Sequence, residues 1–76
     1  MVKEENKKME RIKIDTEFIK LVQFLKWAGI AETGSEATGM IKGGMVKVNN
    51  EVEFQRGKKL RKGDTVEVGG KLYTID

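Results

Sequence analysis

Residues 33–54, "TGSEATGMIKGGMVKVNNEVEF", decide how this chain folds, because within them the apolar spacing changes from helical to alternating. Thr33 and Glu36 have the spacing of a capping box, in which each side chain satisfies a backbone amide of the first helical turn. Ala37, Met40 and Ile41 follow at steps of three and four and give one small apolar face. Gly43 and Gly44 stop the helix. Val46 and Val48 then alternate with Lys47, and Asn49 and Asn50 form a pair that tolerates the positive φ angles of a tight turn. Val52 and Phe54 resume on one side, with Glu51, Glu53 and Gln55 on the other. The stretch reads as a helix feeding a β-hairpin.

Upstream, "FIKLVQFLKWAG" has helical spacing. Phe18, Leu21, Val22, Leu25 and Ala28 form its apolar side, with Phe24 at the margin and Gln23 and Lys26 pointing away. Gly29 ends it. Before it, Ile12 and Ile14 alternate with Arg11, Lys13 and Asp15 as a short peripheral strand. Residues 1–10 are rich in Lys and Glu without periodicity and read as a flexible leader to a single domain over 11–76. Downstream, "KGDTVEVGGKLYTID" gives a Gly-Asp turn, a strand through Val66 and Val68, a Gly-Gly turn and a last strand through Tyr73 and Ile75, with Leu72 and Thr74 on the opposite face. Helices this short need a partner surface in water. The expected architecture is therefore α+β, two short packed helices against a small antiparallel β-sheet.

Composition narrows the function. The chain has 76 residues, with no histidine and no cysteine. A domain of this length buries only about 60% of its unfolded surface and has no disulfide to help it. The usual zinc ligands and nucleophile–base pairs are missing, and no calcium-loop spacing occurs. The glycine pairs lack the following lysine and hydroxyl of a phosphate-cradling loop. Glu51 and Glu53 sit on an outward face with nothing apolar to raise an acid's pKa. We expect no enzyme activity, no metal and no cofactor. With neither an apolar span nor a signal-peptide stretch, the expected location is the cytoplasm, without membrane contact.

The charge is concentrated. Of 15 basic residues, against 12 acidic, five fall in "RGKKLRK": Arg56, Lys58, Lys59, Arg61 and Lys62. Such a loop either neutralises backbone phosphates or is a solvated connection between strands. Arginine adds a planar fork that grips a phosphate or base edge at two points, which makes Arg56 the first choice for a specific contact. Gly57 and Gly63 serve turns, and Gly57 also lets a backbone approach a ligand. Lys42 shares a helix face with Thr38, and Ser35 lies one turn earlier. The Thr38 hydroxyl could donate to a phosphate or bond back to its own helix. Trp27 lies off the apolar stripe. Packing at the edge of the core is its expected role, with base stacking as the alternative, and Tyr73 is expected to pack.

"FLKWAG", "TGSEATGMIKGGMVKVNNEVE", "RGKKLRKGDTVEV" and "YTI", in this order and spacing, resemble the S-four domain, a small RNA-binding module of a bacterial ribosomal protein. The module also occurs in some tRNA synthetases, pseudouridine synthases and a heat-shock ribosome-recycling protein. The resemblance covers roughly Ile14 to Ile75 and is nearest to the short stand-alone bacterial members. It implies RNA binding by the second helix and the hairpin, at Ser35, Thr38, Lys42, Lys47, Arg56, Gly57, Lys58 and Lys59. Arg61 and Lys62 extend that basic loop. The family commonly has lysine where Thr38 stands, an aromatic where Gly39 stands, and a second arginine where Gln55 stands. The implied partner is structured RNA, ribosomal RNA or a ribosome-assembly intermediate, bound by a monomer. The rival reading is a protein-interaction module that docks an acidic partner through the same loop.

Overall fold

The computed structural model describes residues 9–76. The expected leader lies outside them, except that Met9 and Glu10 already belong to the first strand, β1, Met9–Ile12. Then follow β2, Ile19–Lys20; α1, Leu21–Trp27; α2, Gly34–Lys42; β3, Val46–Val48; β4, Glu51–Val52; β5, Lys59–Leu60; β6, Thr65–Val68; and β7, Lys71–Ile75. A five-stranded sheet has the order β1-β7-β6-β3-β4, and β2 pairs with β5 in a separate two-stranded ladder. The α+β class holds, but the larger sheet is mixed. Chain-neighbouring strands pair antiparallel, whereas β1 runs parallel to β7, which follows it by most of the chain length.

The alternation read from the sequence sets the core. Val46 and Val48 of β3 stand opposite Val68 and Val66, and Val66 stands opposite Tyr73. All of these are buried, together with Ile75. Against this face lie Leu21, Phe24 and Leu25 of α1 and Ala37 and Ile41 of α2. Each large apolar side chain enclosed this way contributes about 1.5–3 kcal/mol. Tyr73 packs as expected, its ring meeting that of Phe24 edge to face at 5.9 Å between centroids.

Both helices end on a left-handed glycine. Gly29 (φ 76°) and Gly44 (φ 77°) donate to the carbonyls of Lys26 and Ile41, while Ile30 and Met45 reach back to Leu25 and Met40. This pairing satisfies the last carbonyls of a helix and requires a residue without a Cβ penalty. At the start of α2, the Thr33 hydroxyl accepts from the Glu36 amide at 3.0 Å. The Glu36 carboxylate accepts from the Glu32 amide rather than that of Thr33, so the reciprocal arm closes one residue early.

Four expectations need correction. Helix α1 starts at Leu21, because Ile19–Lys20 are taken into the ladder with Leu60–Lys59. Phe18 therefore precedes the helix, and the buried stripe turns onto Phe24, which the Tyr73 ring covers. Trp27 does not pack at the core edge, being 66% exposed. Val52 and Phe54 are exposed as well, since the two-residue turn pairs Val52 with outward-facing Lys47 and sends it to the far side of the sheet. A register fixed by a two-residue turn fixes the face of every side chain that follows.

Candidate nucleic-acid interface

The basic run is held down by backbone and by one side chain. The Leu21 amide donates to the Lys58 carbonyl at 2.8 Å, and the Val22 amide to that of Arg56 at 3.0 Å. The first amides of a helix lack partners within it, and here the loop supplies two acceptors. Lys58 N–H closes a turn on the Gln55 carbonyl with Arg56 and Gly57 at its centre. Leu60 is fully buried in the core. What reads as a wet loop is thus pinned at both ends of its first half.

This anchoring turns Arg56 toward α2. Gly34, Ser35, Thr38 and Gly39 of the helix line one shallow hollow with Arg56. Among the described residues neither hydroxyl makes a hydrogen bond, so Thr38 does not bond back to its helix. Arg56 has no carboxylate partner among them either. A Cβ placed on Gly34, Gly39 or Gly57 would meet nothing within 4 Å. A bulky ligand can therefore approach helix backbone, two hydroxyls and a guanidinium from one side. Gly34 and Gly39 were missed as lining residues from the sequence, where their role as small positions beside a cation left no distinct signal.

The other expected residues do not gather at this hollow. Lys42 is exposed in the last turn of α2, where a cation also complements the helix carbonyls. Lys47 lies between buried Val46 and Val48 and faces away from the core, opposite Glu67 across the ladder. Lys58 is exposed beside the Arg56 turn. Lys59 and Arg61 go elsewhere, placing Nζ at 4.8 Å and Cζ at 5.8 Å from the centre of the Phe18 ring. Arg61 and Lys62 also border a depression with Asp15, Thr16 and Glu17. The expected single patch is in fact divided.

The far end of the run is set by the Gly63–Asp64 turn. Asp64 accepts from the Arg61 amide at 2.8 Å and, through its other oxygen, from the Asn49 side chain at 3.2 Å. Asn49 also accepts from the Thr65 amide at 3.0 Å. Asn49 and Asn50 take the positive φ angles expected of the hairpin turn, 51° and 74°. Among the described residues no group of three or more acidic side chains is placed to hold a metal ion.

Two short helices on a mixed sheet, with a basic segment bonded to the start of the first helix, make up the fold of a small RNA-binding module. The S4 domain family matches residues 12–76, and the chain belongs to it. It is 46% identical over 59 residues to the probable ribosome maturation protein RlbA of Bacillus subtilis (strain 168), a match covering 78% of this chain and 83% of that protein. It also superposes on the solution structure of YbcJ from E. coli, described as having an alfaL motif involved in RNA-binding. That match has a TM-score of 0.63 and 27% identity, covering 99% of this chain and 94% of the other.

Proposed function

We propose that this protein binds structured RNA of the ribosome or of its assembly intermediates, through the hollow between α2 and the Arg56 turn. The observation that carries this is the meeting of Ser35, Thr38 and the Arg56 guanidinium around a surface open at Gly34 and Gly39. Arg56 grips a phosphate in two places, the hydroxyls donate to its neighbours, and Lys58 adds charge to the same edge. Lys42 extends the surface along the helix. Recognition is by shape and backbone, because paired RNA hides its base edges in a deep, narrow groove. The relation to a ribosome maturation protein supports the ribosomal partner, and with it a cytoplasmic place of work.

The test is an amide chemical-shift titration with a ribosomal RNA hairpin, with DNA of equal length as control. Perturbations at 34–39 and 56–58, larger for RNA and weakening steeply between about 50 and 200 mM salt, are the expected result. Perturbations confined to residues away from α2, or equal affinity for DNA, defeat the assignment.

A protein partner is the second reading, favoured by a different surface. Phe54 and Met45 are 60% and 59% exposed, and Phe54 and Val52 close around Gly44. Exposed apolar groups that gather in this way mark contact surfaces. Phe54→Ser would leave RNA affinity unchanged while abolishing such a contact.

A further inference from the structure

Along α1 lies a second hollow of about 500 Å³, whose apolar wall is formed by Phe18, Ile19 and Trp27 and whose polar groups include Asp15, Gln23 and Lys26. None of these six residues belongs to the surface just described. Trp27 is the chain's only tryptophan, and a domain this small has little apolar area to spare, yet two-thirds of it faces solvent. The core does not account for its position. Phe18 is held in place by the Thr16 hydroxyl, which donates to its carbonyl at 2.8 Å. Its ring in turn holds Lys59 and Arg61 at 4.8 and 5.8 Å, so two cations stand beside the aromatic wall in defined positions.

We propose that this hollow seats one unpaired base of the bound RNA, stacked on Trp27, with the adjoining phosphate on Lys59 and Arg61. The inference rests on the RNA-binding reading above and adds a second contact to it. Every base has a π-face that an exposed indole can take, and stacked bases inside a duplex cannot reach it. Asp15 and Gln23 supply an acceptor and a donor for a base edge. Asp15 and Glu17 also border the depression at Arg61, so the phosphate rests first on Lys59, the cation nearer the Phe18 ring. The two hollows are linked through the start of α1: the Val22 amide is bonded to the Arg56 carbonyl, and the neighbouring Gln23 lines the second hollow. A single-stranded segment leaving a helix bound at Arg56 is the occupant that suits both.

Two RNAs separate this proposal from its foundation: a short blunt duplex, and the same duplex with a three-nucleotide overhang. Binding is read from the anisotropy of labelled RNA at fixed salt, and stacking from the emission of Trp27, which reports on this hollow alone. The expected result is that both RNAs bind, that the overhang tightens binding about five- to hundredfold, and that only the overhang quenches Trp27. Trp27→Leu, a change at an exposed position, should erase the advantage of the overhang and leave blunt-duplex affinity as it was. Equal affinity for the two RNAs overturns the proposal while sparing RNA binding itself. An overhang advantage that survives Trp27→Leu also overturns it. If neither RNA binds, the proposal falls together with the reading beneath it.

Discussion

Arg56 and Arg61 belong to one run of charge and differ by only five positions, yet they serve different surfaces. Arg56 lines the hollow at Ser35 and Thr38, whereas Arg61 lies over the Phe18 ring. Between them Leu60 is driven fully into the core, and β5 is bonded to β2. The division falls between Lys58 and Lys59: burial of Leu60 and its pairing with β2 turn Lys59 and Arg61 together onto Phe18, in a cationic run that would otherwise act as one cloud. Charge density along a chain and charge density on a surface are different quantities. The second depends on which residues in the run the core demands.

The most severe way to break this division is Leu60→Ala. Removing a fully buried leucine should cost about 2–5 kcal/mol, read from thermal or urea unfolding. The surviving folded protein should show shift changes at both hollows. Retention of wild-type stability would mean that Leu60 is no pivot. Next in size is Arg56→Glu, which should lower the affinity for a blunt RNA duplex about tenfold or more. Its milder form, Arg56→Ala, should reduce the slope of log affinity against log salt by about one. The matching change at the other end, Lys59→Glu, should spare the blunt duplex and weaken binding of the overhang.

A smaller effect tests how the Arg61 end is held. Asn49→Ala removes the bonds to Asp64 and to the Thr65 amide. It should destabilise the fold by about 1–2 kcal/mol. Amide exchange should quicken at Arg61 and Asp64 and stay slow at Leu21 and Val22, which hold the Arg56 end. The smallest expected effect is that of Lys47→Ala. This side chain faces away from the core, so stability should change by less than about 0.5 kcal/mol. RNA affinity should stay within about twofold, and a larger loss in a filter-binding assay would return Lys47 to the interface.

Much of this architecture was legible because local chemistry dictates it. The glycines at 29 and 44 end helices because only a residue without Cβ sits easily in the left-handed region. The alternation at 46–48, 66–68 and 73–75 names the buried face of three strands directly. The sidedness of Val52 could have been read too: a two-residue turn at Asn49–Asn50 pairs Val48 with Glu51 and Lys47 with Val52. Local alternation alone carried no such constraint. The start of α1 was not accessible this way. Ile19 and Lys20 fit a helical stripe, and the loop residues that draw them into a ladder lie about forty positions downstream.

By itself, then, the sequence determined two short helices, the hairpins and their turns, the family, and which side chains carry charge. These follow from backbone preferences and apolar spacing, which act over a few residues. Only the tertiary structure decided that the first strand runs parallel to the last, that β5 carries Lys59 and Arg61 away from Arg56, and that Trp27 faces water. Each of these depends on residues far apart in the chain competing for the same small core, and no local window contains that competition.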